Sequence, residues 1–591
     1  MFLRANHREK DGKRHTDWSL VETVRTPDGP RQRTVCHLGE LNDSAQARWL
    51  KTIEVFNEAG ERHQLKLFPS DIAPPPDDAE VAQVLVHRVR LERTRQLGPC
   101  LLGLTLWRQL QLDDFFAARV DQADADVPWS RIAAILAINR LCAPGSELAI
   151  EARWYPTTAL EDLLHIADGK VNDSRLYRAL DQLLPHKTAL ERPLTTRYGE
   201  LFAAEFDVLL YDLTSSYVEG AAPKNPMLRR GYSRDHRGDC LQVVLALIVN
   251  VDGFPLSYET CDGDRTDVTT LETIMRMVER KYGHARRVWV FDRGIVSDAN
   301  LAAVRRRGGQ YLVGTRRTQL RAVEQALLDG TWTRVRNEVE AQVIPIPGGT
   351  ETYVLCRSTA RREKERAIRR RFSTRLEDAL QRLETRVATG RVKDRAVIER
   401  ALGRLQERYA TVADLYEMVL RDEAGRLRLH WQLIEARRQW RDAREGAYLL
   451  RTNLAGQNAE ALWTKYIQLT EAEAAFRALK SELAIRPVFH QLERRVKAHV
   501  LIAFLGYALW VTLKHQLRRC GSGISPSQAL AQLATLQSAD IVLPTTDGRE
   551  IRLRRVARPT PAQQRLLDQL DVTVPPHLEW NAECSGDFAA S

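Results

Sequence analysis

Two aspartates each end an apolar run that has the composition of a buried β-strand. The runs are VLLYD, ending at Asp212, and VWVFD, ending at Asp292. A carboxylate at the end of a buried strand is costly unless something compensates it, although a single one is more often a turn or a cap. If the two strands lie side by side, both carboxylates emerge at one edge, where a divalent cation between them relieves their repulsion. The pair therefore indicates a cation site.

A third carboxylate, Glu473, lies in a segment with helical spacing. Tyr466, Glu473 and Lys480 are seven residues apart, and Arg477 falls on the same helical face. Spacing alone favours an ordinary amphipathic helix with surface ion pairs. The neighbouring Glu471 is a competitor, but it is out of phase with Tyr466 and Lys480 by about 200°. Glu473 is therefore the better candidate for a third ligand.

Three carboxylates of this kind suit Mg²⁺ or Mn²⁺, and the absence of Cys/His ligand clusters disfavours zinc. Two such ions about 4 Å apart can bind both sides of a scissile phosphate. One ion activates a water or a 3′-hydroxyl, and the other stabilises the leaving oxygen. Arg477 and Lys480, one and two turns from Glu473, are placed to hold phosphate oxygens.

The composition agrees with a polyanionic partner and a reducing compartment. The 591-residue chain carries a formal net charge of +11, which favours nucleic acid, although a basic but unspecialised soluble protein has the same property. The eight Cys are scattered without a C-x-x-C pair, which argues against a zinc ribbon and a disulfide framework. The polar N-terminus has no apolar signal region, so we expect a cytoplasmic protein.

One apolar segment, Val500–Leu513, could be mistaken for a membrane span. It is 14 residues long and is bracketed by Lys497 and Lys514. A spanning helix needs about 20 apolar residues. We therefore expect a buried core helix and no membrane partner.

Periodicity divides the chain into six regions. We expect a small β-rich N-terminal region at 1–72 with a hairpin around Pro27-Asp28-Gly29, and a Pro-rich linker at 73–77. Apolar spacing predicts a helical region at 80–205, with helices over Val81–Arg95, Ser130–Leu141 and Ser174–Leu184. Three strands and then alternating helices and strands at 206–329 predict an α/β mixed sheet covered by helices. An insertion at 330–445, a return to the core at 446–519 and a C-terminal tail at 520–591 complete the division.

At these residues the sequence resembles the DDE transposases of bacterial insertion sequences, and it is most similar to the IS-four superfamily, which carries a strand-rich insertion before the last catalytic helix. Five blocks carry the resemblance, which covers roughly residues 206–513: YDLTSSYVEG (211–220), GYSRDHRGD (231–239), FDRGIVSD (291–298), GAYLLRTN (446–453) and YIQLTEAEAAFRALKSELAIRPVFH (466–490). Each block is weak alone, and their order makes the set specific.

The resemblance implies that Asp212, Asp292 and Glu473 are the catalytic and metal-binding carboxylates. Tyr466 and Lys480 match a Tyr, Arg, Glu, Lys signature around the glutamate, whereas its Arg falls at Leu469 in this chain. Arg477 is the candidate substitute. The DNA-binding residues implied are Tyr466, Arg477, Lys480 and Arg293, which follows the second aspartate.

The resemblance also implies a ribonuclease H-like core, two Mg²⁺ or Mn²⁺ ions, and a homodimer in the synaptic complex with double-stranded DNA. The DNA partners are the terminal inverted repeats and the target, and the helical region 80–205 is then the DNA-end-binding domain. Its helix at Ser174–Leu184 carries Arg175, Tyr177 and Arg178, which suit either DNA contact or a solvated face.

Three alternatives differ in function class. A ribonuclease H-like DNA nuclease would use the same phosphoryl-transfer chemistry without strand transfer. A non-transposing DNA-binding descendant would have lost at least one carboxylate by drift. A helical scaffold or regulator explains the charged region at 361–445 but not the rest of the chain.

Overall fold

The computed structural model describes residues 2–10, 13–26, 29–40, 52–56, 62–66 and 82–578, except 124, 266, 284–286 and 424. The Pro-rich stretch at 73–77 lies outside the described residues. At the N-terminus β2 pairs with β3 as the antiparallel hairpin that the turn signal predicts, and β1 completes that sheet. The N-terminal strands are β1 (Phe2–Lys10), β2 (Lys13–Thr26), β3 (Gly29–Glu40), β4 (Thr52–Phe56) and β5 (Arg62–Lys66).

A helical region follows one strand, β6 (Arg90–Gln96). The helix predicted over Val81–Arg95 is therefore wrong for this segment. Pairing with a C-terminal strand outweighs the local apolar spacing. Short helical turns at 147–157 interrupt the region after its third helix. The helices are α1 (Gly98–Gln109), α2 (Leu112–Val120), α3 (Trp129–Cys142), α4 (Leu160–Leu163), α5 (Asp173–Leu183) and α6 (Lys187–Phe202).

A nine-stranded mixed sheet forms the centre of the chain. Its first five strands run in the spatial order third, second, first, fourth, fifth, with the first three antiparallel and the fourth and fifth parallel to the first. The elements of this part are β7 (Val208–Val218), β8 (Leu241–Val249), β9 (Pro255–Asp262), α7 (Asp267–Tyr282), β10 (Val288–Phe291), α8 (Asp298–Arg306), β11 (Gln310–Gly314) and α9 (Glu324–Asp329).

The sheet continues through the segment predicted as the start of the insertion. Strands β12 (Thr333–Arg336), β13 (Val339–Pro345) and β14 (Thr352–Ser358) join it, and β14 pairs with the returning strand. Buried Val354, Leu355 and Cys356 explain this position, since both faces of β14 are covered. The unit with its own core therefore begins after Ser358 and not at residue 330.

This inserted unit spans 359–444 and has a separate hydrophobic core, which includes Leu376, Leu380, Ile398 and Leu429. Its charged segment forms two helices separated near Gly390. The elements are α10 (Thr359–Ala388), α11 (Arg395–Arg408), α12 (Ala410–Ala413), the hairpin strands β15 (Tyr416–Glu423) and β16 (Arg426–Leu433), and α13 (Glu435–Arg444).

The chain then returns to the sheet through β17 (Ala447–Thr452), as the sequence predicts, and forms the helices α14 (Ala459–Ile467) and α15 (Leu469–Arg477). The next helix, α16 (Glu493–Arg519), is longer than the apolar segment that it contains. Among the described helices, α16 alone is long and apolar enough to cross a membrane, or one of two if a bent pair is counted as one span, but 89% of its apolar window is buried inside the protein. It packs against α3, α5 and β9 in the manner of a core helix.

The region predicted as a C-terminal tail contains regular elements up to residue 569. These are α17 (Pro526–Leu533), β18 (Gln537–Pro544), β19 (Glu550–Val556) and α18 (Pro561–Gln569). Strand β18 pairs with β6, which lies more than 400 residues earlier in the chain. Local periodicity does not reveal such a partner, because the pairing is entirely long-range.

A buried charge network joins this C-terminal sheet to the helical region. The Arg554 guanidinium donates to both carboxylate oxygens of Asp540, at 2.8 and 3.1 Å, and also pairs with Asp162. Arg95 pairs with Asp162 and Glu161 at 3.4 and 3.2 Å. All five side chains are at most 10% exposed. Removing Asp540 takes two hydrogen bonds from the buried Arg554 guanidinium and leaves it with Asp162 as its remaining carboxylate partner.

We expect Asp540→Ala to lower the free energy of unfolding by about 3–5 kcal/mol, because Arg554 loses its bidentate partner. Hydrogen exchange of the β18 and β19 amides, followed against urea, measures this locally. The matched control is Glu399→Ala, which breaks an exposed pair with Arg395 (2.8 Å) and should cost about 0.5 kcal/mol or less. Equal effects of the two variants would contradict the prediction.

Candidate active site

The strands that carry Asp212 and Asp292 are parallel neighbours. Phe291 on β10 pairs with Tyr211 on β7, so the next residues along each chain, Asp292 and Asp212, are adjacent. Asp292 directly follows its strand, as expected. Asp212 does not end its strand, because β7 continues to Val218 and Asp212 pairs with Leu247 of β8. The adjacency of the two aspartates therefore comes from strand register and not from two strand ends.

Both aspartates lie on the sheet face that α15 covers. Leu210 and Val290, two residues before each aspartate, belong to the core on this face, whereas Tyr211 and Phe291 belong to the core on the opposite face. Side chains two apart on a strand share a face. Helix α15 packs on β7 from this side and carries Glu473. Three carboxylates thus approach one region from three elements, β7, β10 and α15.

Asp292 and Glu473 line the same pocket, whose volume is about 440 Å³. Both side chains belong to exposed residues, and Arg293 and Tyr466 are also part of the pocket wall. Asp212 and Lys480 do not line it. Of the seven residues predicted for the site, the structure therefore brings four into one pocket.

The Tyr466 hydroxyl lies over Gly314 at the end of β11. A methyl group added at Gly314 would come within 2.7 Å of this oxygen, so glycine leaves the space that the tyrosine occupies. The pKa of Tyr466 is raised, first by burial and then by the negative charges of Asp292 and Glu473. The hydroxyl therefore remains protonated beside both carboxylates and can donate a hydrogen bond there.

The helical segment around Glu473 is interrupted twice. It breaks at Gln468, between α14 and α15, and residues 478–482 form a wider π-type turn that contains Lys480. Leu469, where the resemblance expects an Arg, is 6% exposed and packs into the main core. Glu471 points to another partner, Lys514 of α16, at 2.6 Å. Glu471 is therefore engaged in tying α15 to the core helix.

Lys480 is held by a buried carboxylate that lies within the block GYSRDHRGD. The Asp235 side chain, 5% exposed, accepts a hydrogen bond from the Lys480 ammonium at 2.9 Å and pairs with Arg486. The pKa of Lys480 is lowered to about 8 by burial and by Arg234, while Asp212 opposes this shift. The pair with Asp235 also favours the charged ammonium. Lys480 therefore lies in the electrostatic field of the first aspartate.

The sequence did not indicate Asp235, which lies between Arg234 and His236 in this block. His236 has a positive φ of 57°, as turn residues often do, and the Arg234 amide donates to Ser215. A signal for Asp235 was its position between basic residues in a block that otherwise has no apolar residue except Tyr232. The burial of one acid among cations is not visible in sequence.

Two further arginines line the pocket, Arg317 and Arg361. Both donate to Glu365 of α10, which also accepts the Gly446 amide at 3.1 Å. Burial alone would raise the pKa of Glu365, but these hydrogen bonds lower it, so the carboxylate stays ionised. Glu365 thus joins the start of the inserted unit to its return, and it orients two cations at the pocket. Arg477, by contrast, is exposed on α15 and has no ion pair to a described residue.

The three carboxylates offer the hard oxygen ligands that Mg²⁺ prefers, and their donor chemistry fits this cation. Asp292 and Glu473 are open to a ligand. Within the described part of the chain, however, no three His, Cys, Asp or Glu side chains converge closely enough to form a metal site. The two aspartates are adjacent, and Glu473 approaches from the helix without closing a ligand set.

Comparison with known proteins adds one family match. Residues 3–61 match the model for the N-terminal domain of the IS1634 family of transposases, which supports a transposase. No curated protein matches the chain. Among solved structures, the piggyBac transposase synaptic complex with hairpin DNA aligns at 7% identity over 73% of this chain and 79% of that one, with a TM-score of 0.35. A TM-score this low does not establish a shared fold.

For Asp235→Asn we expect the pKa of Lys480 to fall further below its value of about 8, because the ammonium loses a carboxylate at 2.9 Å. The pH dependence of lysine acylation, measured by peptide mass spectrometry, should then show half-maximal reaction of Lys480 at a lower pH. Lys364, exposed on α10, serves as the internal control and should not change. An unchanged Lys480 midpoint would show that Asp235 does not stabilise its charge.

Proposed function

We propose that this chain is a metal-dependent DDE transposase, which binds the terminal inverted repeats of an insertion sequence and catalyses DNA strand cleavage and strand transfer. One observation carries the proposal: Asp212 and Asp292 occupy adjacent positions on parallel strands, and Glu473 lies on a helix packed against the same sheet face. Two aspartates with only a structural role would not have to occupy adjacent positions on parallel strands.

The sheet order and the family match support the proposal from different parts of the chain. The order third, second, first, fourth, fifth, with further strands added beyond the fifth, is compatible with the ribonuclease H-like core that we propose. The transposase-domain match at 3–61 lies outside this sheet. The family match is therefore independent of the sheet order and of the three carboxylates that the sheet and α15 carry.

In this proposal Asp212, Asp292 and Glu473 hold Mg²⁺ or Mn²⁺, with two ions at the site. When bound, the metal activates the attacking water or 3′-hydroxyl and stabilises the leaving oxygen. The adjacent aspartates concentrate negative charge at one point, which favours a cation there. Glu473 has to turn toward them to complete a ligand set, and its exposed position on α15 leaves it free to do so.

The cations around the pocket bind the DNA backbone in this mechanism. Arg293, Arg317 and Arg361 lie on its wall, where guanidinium groups can donate to phosphate oxygens in a bidentate way. Lys480 is held near Asp212 by Asp235, so its ammonium is fixed before substrate arrives. The Tyr466 hydroxyl, on the same pocket wall as Asp292 and Glu473, would donate a hydrogen bond to a bound phosphate. These groups orient a phosphodiester without themselves reacting.

The proposal also includes the partners that the resemblance implies. Double-stranded DNA, as terminal repeats and as target, is the substrate, and two copies of the chain act in a synaptic complex in the cytoplasm. A DNA nuclease on the same fold is the second candidate, because the pocket serves simple hydrolysis equally well. The repeats that flank the gene distinguish the two, since only a transposase needs them.

The first test is cleavage of a plasmid that carries the native flanking repeats, with Mg²⁺ or with EDTA. We expect metal-dependent nicking at the repeat ends. Glu473→Gln should reduce the rate by a factor on the order of 10³ or more, because several kcal/mol of metal-based stabilisation are lost and about 1.4 kcal/mol corresponds to tenfold. Asp212→Ala and Asp292→Ala should have the same effect, with DNA binding largely retained.

Two glutamates on the same helical stretch serve as controls. Glu460→Gln alters an exposed residue at the start of α14 and should leave cleavage unchanged. Glu471→Gln loses the contact with Lys514 and should affect stability more than chemistry. Cleavage that survives in Glu473→Gln but not in Glu471→Gln would move the third ligand to Glu471. Cleavage that ignores the repeats would favour the nuclease.

We expect Arg477 to contribute to the affinity for DNA and not to the rate of strand cleavage. It is exposed and unpaired among the described residues, so we expect Arg477→Gln to reduce the slope of log K against log salt by about 0.9, the value for one phosphate contact. Fluorescence anisotropy on repeat-end DNA measures the slope. Arg565→Gln, an exposed residue of α18, is the matched control. Equal slopes for the two variants would remove Arg477 from the interface.

A further inference from the structure

The long helix α10 carries its charges unevenly around its axis. It contains nine Arg and one Lys against five acidic residues. On the side facing the unit's own core, polar groups have partners: Arg369 pairs with Glu445 at 2.6 Å, and Glu384 accepts the Trp431 indole N–H at 3.0 Å. The inner face is thus neutralised by the hairpin and by the segment leading to β17.

The outer face is different. Five exposed cations lie along it within an arc of about 60°, taking about 100° of rotation per residue. They extend over about 33 Å at 1.5 Å per residue. We call this set the basic stripe, and its members are Lys364, Arg371, Arg375, Arg382 and Arg386.

No described carboxylate pairs with the basic stripe. Arg382 donates only to the Asp378 carbonyl of its own helix, and Arg371 lies near the Phe372 ring. One acidic residue, Asp378, lies close to the stripe. An ordinary solvated helix alternates its charges and forms ion pairs four residues apart, whereas like charges at this spacing destabilise the helix. The arrangement is therefore unfavourable in the free protein and becomes favourable only beside a polyanion.

The position of the stripe relates it to the candidate active site. Ser358 caps the start of α10, and Ser358 and Arg361, in the first turn, both line the pocket with Asp292 and Glu473. The stripe begins one turn later and leads away from the pocket. A rod-shaped polyanion that enters the pocket can therefore continue along α10. Such a polyanion would carry regularly spaced negative charges along the whole length of the stripe.

We propose that the basic stripe is a contact track for the backbone of duplex DNA beyond the cleavage point, and that it binds without reading sequence. The proposal rests on the proposed function, since it takes the pocket as the place where DNA is cut. A straight row of guanidinium groups over about 33 Å fits a stiff duplex, which presents phosphates at close and regular spacing. It offers no aromatic platform, which single-stranded nucleic acid would require.

The test is the salt dependence of binding by the full chain to a repeat-end duplex with flanking DNA on both sides of the cleavage point. Arg371→Gln/Arg375→Gln should reduce the slope of log K against log salt by about 1.8, which is two contacts at about 0.9 each. Changing Arg382 and Arg386 to Gln as well should double the reduction. The same proteins are assayed for cleavage at the repeat ends.

The matched control is Arg276→Gln/Arg280→Gln, a pair at the same spacing on the exposed face of α7. A reduced slope for the stripe variants with an unchanged control supports the track. Equal slopes for both double variants, or a loss seen with single-stranded DNA but not with duplex, overturn it. Wild-type protein that binds through the stripe but never cleaves would refute the proposed function and leave the track intact.

Discussion

The burial of one helix, α16, determines how the helical region and the nine-stranded sheet are held together. Its apolar residues face α3 on one side and β9 on the other, so neither half has a complete core without it. Gly506 lets Arg140 of α3 cross this helix closely, since an added methyl would lie 2.7 Å from the Arg140 Cγ. The buried guanidinium then donates to the carbonyls of Leu483 and Ala484, where the helical stretch of Glu473 ends. Burial lowers the pKa of Arg140 to about 10, so it remains charged near neutral pH and suits the negative end of a helix.

The contacts between α16 and the helical region also explain the roles of several residues that the sequence alone did not assign. His499 contacts the Ile485 carbonyl at 2.9 Å, and His490 pairs with Glu147 of the helical region. Tyr177 packs edge-on against His490, with Arg495 over its ring. Tyr177 thus holds helix α5 against α16 and the segment that precedes it, which leaves Arg178 as the exposed cation of α5 near that tyrosine. The end of the glutamate helix and the helical region are therefore parts of one packed unit.

Local sequence patterns predicted the elements whose buried residues follow the apolar spacing of the sequence. The strand at 447–452 and the helix around Ser130–Leu141 are where apolar spacing puts them, because burial on that pattern is their main source of stability. Strand pairing between segments that are distant in sequence could not be predicted from local patterns. Strand β6 looks helical until β18 pairs with it, and β14 looks like part of an insertion until β17 does. In the candidate site, the helical phase was enough to prefer Glu473 over Glu471 as the candidate ligand. Asp235 and Arg317 could not be predicted from the sequence, because their neighbours come from remote segments.

The cations near the carboxylates fall into two classes with different physical consequences. Lys480, Arg317 and Arg361 already have acidic partners, so their side chains are ordered and contact with a phosphate would cost them little rotamer entropy. Sharing an acid also weakens their net attraction for phosphate, which suits groups that fix geometry. Among the described residues, Arg477 and the basic stripe have no such partners, which suits groups that release counterions and supply affinity. Orientation by paired cations and attraction by unpaired cations are thus assigned to different residues. A substitution in one class should change rate, and a substitution in the other should change salt-dependent binding.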